Sequence, residues 1–179
     1  MVKILFICHG NICRSPMAEF VMKDLAAKAG RSGDFEIASA AVSREEIGNG
    51  VHHGTRRKLA QVGISCAGKT ARQVTAGDYQ YYDLLIVMDR DNLRRLEGIC
   101  GEDREGKMHL LLDFTPRAGM EVADPWYTGN FEDTYRDVLE GCEALLAQQK
   151  EGIYCSDISS ELRARFAATT KFWYCLSQA

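Results

Sequence analysis

The sequence predicts an α/β fold in which a four-stranded parallel sheet is flanked by helices. Apolar runs of strand length alternate along the chain with stretches of helical periodicity, the order that builds a parallel sheet covered on both faces. The first run, Val2 to Ile7, ends at a cysteine. It leads through Cys8-His9-Gly10-Asn11-Ile12-Cys13-Arg14-Ser15-Pro16 into a helical pattern. With 179 residues, 46% of them hydrophobic, the chain can bury one substantial core.

Val2–Cys8 is the first strand, read from its unbroken apolar stretch. Pro16 suits the first turn of a helix, where its missing N–H leaves no bond unmade, and Met17, Phe20, Val21 and Leu25 share one face before Gly30 ends it. Phe35–Ala41 is the second strand, and residues 51–62 form a helix stopped by Gly63. Residues 83–88 and 108–114 supply the third and fourth strands, with a short helix at 91–96 between them. A closing helix over 131–149 turns Tyr135, Val138, Leu139, Cys142, Leu145 and Leu146 to one side. Residues 1–149 therefore form the predicted domain. Residues 150–179 are a C-terminal extension, helical or poorly ordered, in which Leu162, Arg165, Phe166 and Thr169 suit an amphipathic helix and residues 172–176 make an apolar cluster.

A formal net charge of −3 offers no long-range attraction to nucleic acid or anionic membrane, so neither is an expected partner and any anion must be held by a local site. The apolar start is too short for a signal sequence or a membrane span, which predicts a cytoplasmic protein. Seven cysteines without a C-x-x-C pair or Cys/His ligand spacing argue for free thiols over a disulfide framework or structural zinc. His9, His52, His53 and His109 show no ligand spacing either and read as surface or loop residues.

The chemistry concentrates at the end of the first strand. A sharp strand-to-helix turn points successive backbone N–H groups inward, a nest for phosphate oxygens at the positive end of a helix. Gly10 permits the turn, Asn11 tolerates a left-handed conformation and can brace the loop, and Arg14 can fold back to grip two oxygens in its planar fork. The same field favours the thiolate of Cys8, a nucleophile for phosphorus, and Ser15 is placed to donate a hydrogen bond to the sulfur. Cys13 is either a core thiol at the helix start or a resolving partner for Cys8 under oxidation. The spacing C-x-x-x-x-x-R recurs at Cys66 and Arg72, but there no apolar run precedes the cysteine and no Ser-Pro follows the arginine. Context therefore selects Cys8.

A departing alkoxide or phenoxide needs a proton, which calls for a carboxylic acid on a neighbouring loop. Asp124-Pro125-Trp126-Tyr127 supplies one, with two aromatic rings to wall a slot for a planar leaving group. Asp89 and Asp113 also stand at strand ends, but Asp89 is placed to cap the following helix and Asp113 has no aromatic neighbours.

Cys8 to Ser15 resembles the phosphate-binding loop of the low molecular weight protein tyrosine phosphatases, and Asp124 to Tyr127 resembles their Asp-Pro-aromatic-Tyr acid loop. The resemblance covers residues 1–149. It implies a flavodoxin-like strand order and phosphate bound by His9, Gly10, Asn11, Ile12, Cys13, Arg14 and Ser15. It also implies Cys8 as nucleophile, Arg14 as transition-state clamp, and Asp124 as general acid and then general base. No metal and no cofactor are implied. The expected activity is hydrolysis of phosphotyrosine in proteins or peptides, and of small aryl phosphates, through a cysteinyl-phosphate intermediate with inorganic phosphate as product.

Ile12 and the slot residues Trp126 and Tyr127 suit an aryl phosphate, whereas the related arginine phosphatases tend to carry Thr at the position of Ile12 and lack the aromatic pair. Two segments depart from the family pattern. Residues 39–48 lack the aromatic residue that many relatives use in the substrate slot, and residues 63–73 offer Lys69 where relatives often have a loop-bracing His. Rival readings are an arginine phosphatase, an arsenate reductase, a cysteine phosphocarrier and a non-catalytic phosphotyrosine-binding module. Arsenate reduction needs further paired cysteines, yet Cys66 and Cys100 are isolated. A carrier gains nothing from Arg14 and Asp124, and a reader gains nothing from an intact nucleophile and acid.

Overall fold

The computed structural model describes residues 1–149, so the expectations for residues 150–179 lie outside the described residues. Strands β1 (Val2–Cys8), β2 (Phe35–Ala41), β3 (Leu84–Val87) and β4 (Met108–Leu110) form one parallel sheet in the order β2-β1-β3-β4. The helices are α1 (Arg14–Lys28), α2 (His53–Gln61), α3 (Ala76–Tyr81), α4 (Arg90–Cys100), α5 (Pro125–Thr128) and α6 (Phe131–Gln148). This is the predicted α/β architecture.

Alternation along β1 sorts the core into two layers. Ile4 and Phe6 point to the side of α1, α2 and α6, where they meet Met17, Val21, Leu59, Val138 and Leu145. Leu5 and Ile7 point to the other side, among Tyr79 and Tyr82 of the α3 segment and Leu96 of α4. Glycines allow the closest approaches. A Cβ on Gly141 of α6 would lie 2.5 Å from Leu111 Cγ, and one on Gly54 of α2 would lie 2.3 Å from the Phe131 ring. After β1 the chain pairs β2 on one side and then β3 on the other, so the carboxyl end of β1 lies at the point where the strand order reverses. A crevice opens there in open sheets of this kind. Cys8 is the last residue of β1 and lies at that end.

Several boundaries differ from expectation. The fourth strand stops at Leu110, and residues 111–114 turn into a 3-10 helix because the Asp113 carboxylate reaches back to accept the N–H of Leu110 at 3.1 Å. α1 begins at Arg14, two residues before Pro16, and α4 runs from Arg90 to Cys100, well beyond the expected 91–96. α2 is shorter than 51–62 because His52 caps it, with Nδ1 accepting the N–H of Gly54 at 3.2 Å. A further helix of six residues, α3, is held at its start by the Asp78 carboxylate, which accepts the N–H and hydroxyl of Thr75 at 2.7 and 3.0 Å, while the Asp78 N–H donates to the Thr75 carbonyl.

Candidate active site

Cys8 is buried, and residues 9–13 carry the chain from it to α1. The carbonyl oxygens of Cys8, His9 and Ile12 accept hydrogen bonds from the backbone N–H groups of Val42 (2.9 Å), Ser43 (3.0 Å) and His52 (2.9 Å). These bonds draw the carbonyls away from the loop's concave side. Among the described residues no backbone bond takes the N–H of Gly10, Ile12 or Cys13, while the N–H of Asn11 donates to Cys8 Sγ at 3.3 Å. α1 starts without a side-chain cap and without an acidic residue in its first turn. Its positive end is thereby left for an anion.

Asn11 has φ +57°, the one left-handed non-glycine residue among the described residues. Gly10, expected to supply the turn, serves a different purpose: a Cβ there would lie 3.0 Å from Glu46 Cγ, so its value is close approach. Asn11 donates through Nδ2 to Ser15 Oγ at 2.9 Å and to Ser39 Oγ at 2.8 Å, and its Oδ1 accepts the N–H of Arg72 at 3.3 Å. Ser15 Oγ in turn lies 3.0 Å from Cys8 Sγ. The side-chain bracing expected of Asn11 and the Ser15 contact to sulfur are both present.

Arg14 folds back as expected, and its fork is already engaged. Nη1 donates to Asp89 Oδ2 and Nη2 lies against Asp124 Oδ2, each at 2.6 Å. Burial opposes the charge of Arg14, but Cys8, Asp124 and Asp89 together outweigh it and hold the guanidinium above its ordinary pKa. It remains a cation throughout the range in which proteins are folded. Asp89 caps α4 through Oδ1, which accepts the N–H of Asn92 at 2.6 Å, as the sequence suggested. Its second oxygen, which no motif singles out, positions Arg14.

Asp124 is the N-cap of α5, with Oδ1 accepting the N–H of Trp126 at 3.0 Å and Pro125 opening the helix. Its other oxygen faces Arg14, so the loop brings the candidate acid to the candidate clamp. Tyr127 lines an open cleft with Arg14, Asp89 and Asp124. Trp126 instead leans towards α2, its ring 6.2 Å from that of His52, which stacks on Phe131. Both aromatic residues are exposed, Trp126 by 61% and Tyr127 by 86%. Burial, with Cys8 and Asp124 nearby, pushes the Cys13 thiol up to about 12. Cys13 is thus a neutral thiol near pH 7.

The sequence profile described as low molecular weight phosphotyrosine protein phosphatase matches residues 3–153. The chain belongs to this family. It is 44% identical over 153 residues to the low molecular weight protein-tyrosine-phosphatase YfkJ of Bacillus subtilis, covering 84% of this chain and 98% of that protein. The crystal structure of YfkJ superposes with a TM-score of 0.81 over 84% of this chain and 96% of its own. The low molecular weight phosphotyrosine protein phosphatase of Gallus gallus is 37% identical over 148 residues, 80% of this chain and 92% of that one. A Drosophila arginine phosphatase structure shares the fold with a TM-score of 0.74 and 29% identity, over 83% of this chain and 98% of that one. As a family member the chain is a hydrolase acting on phosphomonoesters.

The two departures from the family pattern are now placed. Residues 39–48 offer no aromatic ring; their backbone holds the carbonyls of Cys8 and His9, and Glu45 bonds His9 Nε2 at 3.1 Å. Lys69 does come beneath the loop, where its Nζ donates to the Ser39 carbonyl at 3.0 Å and pairs with Glu19 at 3.1 Å. Glu19 escaped the sequence reading altogether. A polar residue one turn past Ser15, on an otherwise apolar helix face, was the available signal.

Proposed function

We propose that this phosphatase hydrolyses phosphotyrosine in proteins or peptides by two in-line displacements at Cys8. The phosphoryl group enters the loop, where the free N–H groups, the α1 terminus and Arg14 meet its equatorial oxygens. A phosphate dianion competes with Asp124 for Arg14 and releases that carboxyl group to take up a proton. The Cys8 thiolate then forms the S–P bond as the ester P–O bond breaks, and Asp124 gives its proton to the departing phenolic oxygen. In the second step Asp124 removes a proton from water, whose oxygen bonds to phosphorus as the S–P bond breaks. Inorganic phosphate leaves and the thiolate is restored.

The observation that carries this reading is the convergence of Cys8, Ser15 and Arg14 from one loop on Asp124 from another, joined through the Arg14 fork. Ile12 in the loop, with Tyr127 lining the cleft and Trp126 exposed beside it, supports an aryl ester over phosphoarginine. Residues 1–149 are the catalytic domain in this proposal, and residues 150–179 an extension to it. Among the described residues no helix is long and apolar enough to cross a membrane, and their five cysteines are all free. A reactive thiolate survives best in a reducing compartment, which supports a cytoplasmic location.

Steady-state hydrolysis of an aryl phosphate, a phosphotyrosine peptide and a phosphoarginine peptide tests the proposal in wild type, Cys8→Ser and Asp124→Asn. Turnover of the aryl substrates, abolished by Cys8→Ser and slowed about 100-fold by Asp124→Asn, is the expected result. Cleavage of phosphoarginine alone overturns the substrate assignment. Binding of phosphotyrosine without turnover overturns the catalytic one.

A further inference from the structure

Beneath the phosphate loop lies a buried ion pair that the two-step reaction does not use. Glu19 is 4% exposed, and its Oε2 accepts from Ser39 Oγ at 2.6 Å and meets Lys69 Nζ at 3.1 Å; Oε1 accepts from Lys23 at 2.6 Å. Burial opposes the charge on Glu19, but the bonds from Lys23 and Ser39 and the charge of Lys69 win, holding its carboxyl below the ordinary range. It is an ionised carboxylate, and such a group only accepts hydrogen bonds.

That restriction propagates. Ser39 gives its one hydroxyl hydrogen to Glu19, so Asn11 Nδ2 at 2.8 Å must be the donor to Ser39 Oγ. The Asn11 amide cannot be flipped, because its Oδ1 receives the N–H of Arg72. Its second Nδ2 hydrogen goes to Ser15 Oγ at 2.9 Å. Ser15 is therefore an acceptor towards Asn11, and its own hydrogen is left for Cys8 Sγ at 3.0 Å, with the Ala40 carbonyl a more distant alternative at 3.4 Å.

We infer that Glu19 and Lys69 are positioning residues for the nucleophile: the buried carboxylate, held ionised by Lys69, orients the Ser39–Asn11–Ser15 relay so that its last hydroxyl donates to the Cys8 sulfur. The inference rests on Cys8 as the reacting thiolate. Without the charge on Glu19, the Ser39 hydroxyl hydrogen is no longer drawn to one acceptor, and the direction of the Asn11 and Ser15 bonds above it is no longer set.

The test is the rate of Cys8 alkylation by iodoacetamide as a function of pH, read by peptide mass spectrometry on the full chain with melting temperature alongside. Lys69→Met and Glu19→Gln should each slow alkylation about tenfold near pH 6, with wild-type rates regained near pH 9. Lys69→Arg should restore the wild-type profile. Leu146→Ala, on the buried face of α6 in its last turn, should lower the melting temperature and leave the profile unmoved. If Lys69→Met does not fold, the neutral pair Glu19→Gln with Lys69→Met buries no lone charge and gives the same readout. Alkylation profiles that superimpose on wild type, whatever happens to the melting temperature, overturn the inference. The readout needs no turnover, so a shifted profile in a chain that cleaves nothing upholds the relay and overturns the catalytic reading instead.

Discussion

Replacing Asn11 by Ala and, separately, by Gly divides the cost of the phosphate loop into its two parts. Both substitutions remove the same side-chain bonds, to Ser15, Ser39 and the N–H of Arg72, at a position 1% exposed. Leaving buried groups unsatisfied costs about 1–3 kcal/mol each, and partial relaxation brings the shared loss to about 3 kcal/mol. The backbone separates the two variants. At φ +57° an alanine bears about 1–2 kcal/mol of left-handed strain that glycine does not. Glycine gives back about 0.4–1 kcal/mol through the greater freedom of its unfolded chain. The net expectation is that Asn11→Gly is more stable than Asn11→Ala by about 0.5–1 kcal/mol, both lying well below wild type. Urea unfolding followed by circular dichroism, with phosphate absent, measures the three midpoints. Equal midpoints for the two variants, or alanine above glycine, would refute the claim that the loop holds residue 11 left-handed in solution.

Two further outcomes follow from the same geometry. Asp89→Asn keeps an oxygen to cap α4 but loses the charged partner of Arg14, so it should lower kcat for an aryl phosphate about tenfold with little change in melting temperature; Asp89→Ala should lose a further ~1 kcal/mol from the cap, and equal stability of the two variants would contradict the double role. Glu19 has a carboxyl held below its ordinary value in the folded chain, so its contribution to stability is present above the ordinary carboxylate range and is lost as pH falls through the lower folded value. The gap in unfolding free energy between wild type and Glu19→Gln should therefore shrink from neutral pH towards about pH 3, and a gap constant over that range would show that the charge is not what stabilises.

Where the signal lay along the chain, the sequence was a good guide. β1 is an apolar run closed by the loop motif, and β2 a mostly apolar stretch that follows Gly33 and Asp34; both were read to the residue. The sequence also pointed to Cys8, Asn11, Arg14 and Ser15, because one short loop must carry nucleophile, brace and clamp together. Local rules failed where a side chain from elsewhere decides the backbone. Asp113 turns back on Leu110 and ends β4 after three residues, although the apolar pattern continues through Leu111 and Leu112. α3, Ala-Gly-Asp-Tyr-Gln-Tyr, has no apolar period and exists because Thr75 and Asp78 satisfy each other's backbone.

The same division runs through the site and explains which part of it a motif conveys. Residues that meet phosphate through a nest, as proposed for 9–15, must be contiguous, since a nest is made of successive N–H groups, and so they form a recognisable string. The residues that hold the nest in shape need only arrive from any direction with the right charge. Asp89 comes from the end of β3, Lys69 and Arg72 from the segment after α2, and Glu19 from a buried position on α1. The ion pair of Lys69 with Glu19 makes the point sharply. In the sequence Lys69 looked like the loss of a brace, because a histidine was expected to reach the loop directly. In the structure the lysine ammonium neutralises a buried carboxylate and lets that carboxylate order the hydroxyl and amide above it. On the relay inferred above, residue 69 has to supply a cation, and a lysine does so with no need of an imidazole's second nitrogen.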